Sequence, residues 1–165
     1  MLLGRVEPFQ GLDEGSRLTV VEHGSRRTVD RGQMVFWQDD PGEAMFVLLE
    51  GSVKLIVCSR DGELIELHRH VAPAIFGELA VLDGGPRSAS AEAVERSTLL
   101  VVTRPELLRL LRSDEQVAEA LLSTLGAMVR RTTRQISDLA FLSLQGRVAA
   151  KLLDLTEPGG AQTRR

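Results

Sequence analysis

Between Thr28 and Val102 the sequence is cut by glycine at Gly32, Gly42, Gly51, Gly62, Gly77 and Gly84-Gly85. The pieces between the cuts are short and β-forming: MVFW, MFVLL, SVKLIVC, ELIELH, SASAEAV and STLLVV. Short strands at roughly regular spacing, separated by turn residues, predict an antiparallel sandwich, roll or small barrel. DDPGE and SRDGE read as hairpin turns, with proline and glycine supplying the dihedral angles. Pro8 to Val21 carries a weaker pattern that predicts one or two short helices.

After Val102 the period changes. Thr103-Arg104-Pro105-Glu106 has the form of a helix start, with proline near the first helical position and an acid in the first turn. A helix without internal proline is then expected over 113–141. Within it Leu122, Val129 and Ile136 recur every seven residues, and Ala118, Leu125, Thr132 and Leu139 fill the complementary series. Arg130, Arg131 and Arg134 flank this seam. A strict seven-residue repeat is narrower than packing on the helix's own domain requires, so a two-stranded homodimer contact is expected through Leu122, Leu125, Val129, Thr132, Ile136 and Leu139. Thr132 is out of place there. A buried hydroxyl must find a partner, either the helix's own carbonyl one turn back or a ligand lodged against the seam. GRVAAKLLDL, residues 146–155, predicts a further helix, followed by the Pro-Gly-Gly loop and basic stub of TEPGGAQTRR.

Composition narrows the class. A chain of 165 residues is one domain of ordinary size, and 43% hydrophobic with 26% charged residues is that of a soluble globular protein. The longest apolar run, MFVLL with VKLIVC, is split by Glu50-Gly51-Ser52, so no membrane span is expected. MLLGRVEPFQ lacks a basic start followed by a sustained apolar core, and a cytoplasmic location is expected. The lone Cys58 has no internal disulfide partner and reads as a small buried hydrophobe. A net charge of −3 argues against general nucleic-acid binding, although from Ala127 onward seven Arg/Lys stand against three Asp/Glu.

The chemistry concentrates in FGELAVLDGGPRSASAEA, residues 76–93. One helical turn after Phe76 would point the backbone N–H groups of Gly77, Glu78, Leu79 and Ala80 outward from a helix start, which attracts an anion. Gly84-Gly85-Pro86 would swing Arg87 back towards that turn. Arg87 offers a planar fork suited to a phosphate, and Ser88 adds a hydroxyl. Glu78 repels a phosphate but can accept hydrogen bonds from the hydroxyls of a sugar. An acid for a hydroxyl and an arginine for a phosphate describe a nucleotide-sized site. Without context the same pair is an ordinary salt bridge around a turn.

This stretch resembles the phosphate-binding cassette of cyclic-nucleotide-binding domains, whose core is FGE-L followed by RSA or RAA. RGQMVFWQDDPGEAMFVLLEGSVKL resembles the glycine-spaced opening of the same family. DLAFLSLQGRVAAKLLDL is similar to the hinge and next helix of the bacterial catabolite activator (Crp/Fnr) group of transcription regulators. The similarity runs from about residue 5 to 157. It implies an α+β fold: an antiparallel β-roll (a jelly-roll-like double-stranded β-helix) over 1–112 and a dimerisation helix over 113–141. It also implies the hinge and first helix of a winged-helix effector domain over 142–165, truncated here. Glu78 would take the ribose 2′-hydroxyl. Arg87 and Ser88 would hold the cyclic phosphate with the backbone at Gly77 and Glu78. Thr132 and Thr133 stand where cAMP-responsive members place hydroxyls against the adenine, one of them reaching the opposite subunit. The implied effector is cAMP, the implied partners are a second copy and, through a domain absent from these residues, DNA. Met128 departs from the arginine that cAMP-binding relatives often carry one turn earlier.

Other classes were weighed. Gly62 followed by His68-Arg69-His70 matches the opening of a metal-dependent cupin motif, and strand alternation would put Glu66, His68 and His70 on one face. Glu78 falls too late for the expected glutamate, and His23 precedes the motif. A haem-based sensor of the same superfamily conflicts with the intact Glu78 and Arg87 set. An iron–sulfur sensor would need more cysteines than Cys58. No nucleophile is paired with a base, so neither an enzyme nor a metal site is expected. A nucleotide-binding module acting on a partner other than DNA is the closest rival.

Overall fold

The computed structural model describes residues 13–59 and 61–143, together with 145, 146, 149 and 152. The helix expected over 146–155 and the tail after it fall almost wholly outside the described residues, as does any helix before Asp13. The chain divides into two units, Met1–Ala120 and Leu121–Arg165.

The first unit opens with helix α1 (Glu14–Glu22), started by Asp13, whose carboxylate accepts from the Ser16 N–H at 2.8 Å. Eight strands follow: β1 (Ser25–Val29), β2 (Met34–Phe36), β3 (Ala44–Glu50), β4 (Ser52–Cys58), β5 (Leu64–Val71), β6 (Ala74–Phe76), β7 (Ser90–Ala93) and β8 (Ser97–Thr103). Helix α2 (Glu78–Asp83) lies between β6 and β7, and α3 (Arg104–Ser113) follows β8. The strands form two four-stranded sheets in the orders β1-β8-β3-β6 and β2-β7-β4-β5, every pairing antiparallel. This is the expected antiparallel β-roll.

Both sheets contribute to one core. Val29, Phe46, Leu48, Phe76 and Leu99 from the first meet Val35, Val53, Ala91 and Ala93 from the second. The alternation that sends these residues inward sends charge outward: Lys54 lies between Val53 and Leu55 and pairs with Glu92 across the strand at 3.0 Å.

Two turn expectations divide. SRDGE closes the β4–β5 hairpin, with the Ser59 N–H donating to the Glu63 carbonyl at 2.8 Å. DDPGE is not a hairpin turn. It carries the chain from β2 in one sheet to β3 in the other, with Asp39 at a φ of 67° and Pro41 bridged to Pro86. Gly42 in this crossing packs against α2 so closely that a Cβ there would lie 2.2 Å from that of Ala80.

Cys58 is exposed rather than buried, because β4 leaves the core at its last residue, just before the hairpin turn. The cupin-like face is also corrected. A bulge opposite Leu55 and Ile56 shifts the register, and Glu66 turns to the outer side, where it binds Arg69 through two hydrogen bonds of 3.0 and 2.9 Å. His68 and His70 remain on the inner side, paired in register with Leu55 and Val53.

Helix α3 begins as its sequence suggests: the Glu106 carboxylate reaches back to the hydroxyl and N–H of Thr103, which hold its pKa below the ordinary glutamate value. Asp114 interrupts the helical run, and α4 spans Glu115–Phe141. Along its second-unit portion Leu122, Val129, Ile136 and Leu139 are each between 61% and 68% exposed. Leu125 is half-buried and Thr132 exposed. No helix among the described residues is long and apolar enough to cross a membrane.

Candidate functional site

The segment 76–93 folds as a strand end, a short helix and a return. β6 ends at Phe76, and Gly77 takes a φ of 74°, a left-handed conformation that costs glycine little. Space requires glycine as well. A Cβ at position 77 would lie 2.9 Å from a terminal nitrogen of Arg87 and 3.2 Å from the Phe36 ring. The chain then enters α2, whose first N–H groups have no carbonyl partner inside the helix. Gly84, also left-handed, ends α2, with its N–H bonded to the Ala80 carbonyl at 3.1 Å. Arg104 secures this end by donating from Nε to the Val81 carbonyl at 2.9 Å.

The return brings Arg87 back beneath the start of α2. Its Nη1 donates to the Gly77 carbonyl at 2.7 Å and its Nη2 to the Ala44 carbonyl at 2.6 Å. Its guanidinium carbon lies 4.2 Å from the centre of the Phe36 ring, a cation–π contact. Phe36 belongs to a stack in which Phe36 and Phe46 are 5.6 Å apart and Phe46 and Phe76 are 5.2 Å apart. The backbone of Arg87 is clamped to the β2–β3 crossing: the Asp39 N–H donates to the Arg87 carbonyl and the Arg87 N–H to the Asp40 carbonyl, each at 2.9 Å.

Arg87 is only 4% exposed and Glu78 3%. Burial pushes the Arg87 guanidinium below its ordinary range, opposed by the negative field of Asp40, Glu78 and Glu43. A guanidinium keeps its charge through any such shift, so the first unit holds a buried permanent cation. Its Nε has no hydrogen-bond partner in the protein. A buried donor left unmatched costs about 1–3 kcal/mol, which an anion at this position would recover.

Arg87 is thus brought to Gly77 at the start of α2, the helix that carries Glu78, Leu79 and Ala80; Leu79 and Ser88 are exposed and Ala80 is buried. Thr132 and Thr133 lie on α4 in the second unit, both exposed. The sequence reading missed the support beneath Arg87: the Ala44 carbonyl, the Phe36 ring and the Asp39-Asp40 backbone. An open depression of about 840 Å³ lined by Asp39, Gly42, Gly84, Pro86 and Arg104 flanks the far end of α2 and touches none of Gly77, Glu78 or Ser88.

A helix start over a buried arginine, set in an antiparallel β-roll, offers positive charge and backbone N–H groups to an anion. Residues 26–114 match the family described as the cyclic nucleotide-binding domain, and the chain belongs to that family. It is 30% identical over 161 residues to the CRP-like cAMP-activated global transcriptional regulator of Mycobacterium tuberculosis, covering 98% of this chain and 72% of that protein. It is 33% identical over 151 residues to the cyclic AMP receptor protein of Thermus thermophilus, covering 92% and 70%. The crystal structure of the Thermus thermophilus catabolite activator protein superposes with a TM-score of 0.77 at 33% identity, covering 90% of this chain and 70% of that one. The chain is therefore a CRP-type sensor domain, a ligand-binding module and not a catalyst.

Proposed function

We propose that this domain senses cAMP for a dimeric bacterial transcription regulator of the cytoplasm. One observation carries the reading: Arg87, a buried cation with an unmatched donor, held under the first turn of α2. Arg87 and Ser88, with the N–H groups from Gly77 to Ala80, take the cyclic phosphate, and Glu78 takes the ribose 2′-hydroxyl. The division of labour follows from charge, since the carboxylate repels a phosphate but accepts from a neutral hydroxyl.

The seam of Leu122, Leu125, Val129, Thr132, Ile136 and Leu139, exposed except for the half-buried Leu125, pairs with its copy in a homodimer. Four large apolar side chains at heptad spacing are the pattern that a second helix buries. Thr132 and Thr133 read the purine amino group, one of them from the partner protomer. Binding then biases the geometry of the paired helices and of a DNA-reading domain joined beyond them. The Mycobacterium tuberculosis relative is a cAMP-activated global transcriptional regulator and the Thermus thermophilus one a cyclic AMP receptor protein, which supports the effector and a role in transcription.

Calorimetric titration of the chain with cAMP and, separately, cGMP tests the proposal. Saturable cAMP binding at one site per protomer, tighter than cGMP, is expected. Equal affinity for the two would remove the purine-reading role of the threonines, and no heat with either would remove the effector assignment.

A further inference from the structure

The two imidazoles set aside as cupin-like ligands occupy a telling place. His70 pairs in register with Val53, which pairs with Ala93; His68 pairs with Leu55, which pairs with Ala91. These two rows run across the inner face of the second sheet. Val53, Ala91 and Ala93 are fully buried, whereas His68 and His70 are half-buried, while their strand neighbours Leu67 and Arg69 are exposed. The imidazoles therefore line the inner face at its open side.

Their rings are ordered. His68 meets His70 edge-on with centroids 4.6 Å apart, and His70 stacks on Phe76 at 5.9 Å and 27°. Phe76 immediately precedes Gly77 and continues through Phe46 and Phe36 to the guanidinium of Arg87. Phe36 and Phe76 are themselves 6.0 Å apart, so one cluster of three rings joins the imidazole pair to the cation assigned to the phosphate.

We propose that His68 and His70 form a proton-linked wall of the effector pocket, so that one proton taken up by the pair tightens binding of the anionic cyclic nucleotide. The inference rests on the effector reading above. An imidazole titrates ordinarily near pH ~6.5, inside the physiological range. Two imidazolium ions with rings this close repel, which limits uptake to about one proton per protomer. The charge would lie over Phe76, a favourable face for a cation.

The groups around the pair fix the sign. β4 presents Val53 and Leu55, β7 presents Ala91 and Ala93, and β6 presents Phe76, none of them titratable. The charges of the cassette are Glu78 and Arg87. Glu66 lies within electrostatic reach of His68 but is held on the outer side by Arg69, near Lys54, which pairs with Glu92. A bound anion favours the protonated pair and raises its pKa in the complex. Affinity is then highest below the free-protein pKa and falls as pH rises through the pKa of the complex. Neither the cyclic phosphodiester nor the purine titrates in this window.

The test is calorimetric titration of the whole chain with cAMP from pH 5.5 to 8.5, in two buffers of different ionisation enthalpy. Affinity at pH 5.5 is expected to exceed that at pH 8.0 by about three- to tenfold, the effect of one unit charge acting through the protein interior. Proton uptake should peak between these limits at no more than about one per site. His68→Gln and His70→Gln should each reduce the dependence, and the double variant should abolish it. His23→Gln should leave it intact, because His23 caps α1 through the Thr19 carbonyl. Tight cAMP binding that is flat with pH, or a dependence surviving in the folded double variant, overturns this inference alone. Absence of cAMP and cGMP binding at every pH overturns the effector reading and this inference together. Where a variant fails to fold, a wild-type proton uptake of zero still overturns the inference.

Discussion

Arg87 serves two purposes at once, and they can be separated. It donates to the carbonyls of Gly77 and Ala44, so it ties the start of α2 to β3, and it covers the Phe36 ring. It also presents the charge assigned to the phosphate. Arg87→Leu removes the group that covers Phe36 and strands two carbonyl acceptors. A buried group that loses its partner costs about 1–3 kcal/mol, so the variant should melt several degrees lower. Loss of a charge-assisted bond to the ligand, about 1.5–3 kcal/mol, should weaken cAMP binding ten- to a hundredfold. Calorimetry and a melting curve on the same sample distinguish the roles. A lowered melting point with unchanged affinity would leave Arg87 as a tie between elements and nothing more.

Among the elements, what could be read from the sequence was what is local in it. The turn chemistry of SRDGE, the capping of α3 by Glu106 and the short helix after Gly77 all depend on residues a few places apart, and each appears as expected. β1 and β6 went unread because SRRTV and AIF carry no alternation of their own. Their strand form comes from pairing with β8 and β3, far along the chain. DDPGE was misread for the same reason: Pro and Gly announce a turn, but only the sheet assignment of β2 and β3 says whether it closes a hairpin or crosses between layers. The site divides along that line. Glu78, Arg87 and the glycines were visible as a cluster, whereas the Ala44 carbonyl and the Phe36 shelf come from the crossing.

Helix α4 offers the sharpest prediction at this scale. Ile136 lies exposed on the heptad seam, so Ile136→Glu changes nothing that the protomer itself buries. In a two-stranded contact the substitution would bury two carboxylates at a d-like or a-like layer. It should shift the protein from dimer to monomer at micromolar concentration while leaving the circular dichroism of the roll unchanged. Sedimentation equilibrium reads the outcome. A variant as dimeric as the parent would place the interface elsewhere.

At the scale of the molecule, ligand and dimer are linked only if each changes the other's equilibrium, and thermodynamics demands that the change be equal in both directions. If saturating cAMP tightens the dimer by some factor, the two sites of the dimer together must gain that factor over two monomers, which is its square root at each identical site. Couplings of this kind typically amount to about 1–3 kcal/mol, or five- to a hundred-and-fifty-fold. Sedimentation with and without saturating cAMP gives one side of the cycle. Calorimetry on the parent and on monomeric Ile136→Glu gives the other, since position 136 is not among the residues assigned to the ligand. The dimer factor should equal the square of the per-site affinity ratio, and that ratio should exceed about fivefold. A dimer constant that ignores cAMP, together with equal affinity in parent and variant, would mean that the pocket closes on its ligand without informing the helix. The signal to any attached domain would then have to leave the roll by another route, and the hydroxyls of Thr132 and Thr133 would lose their assigned part in it.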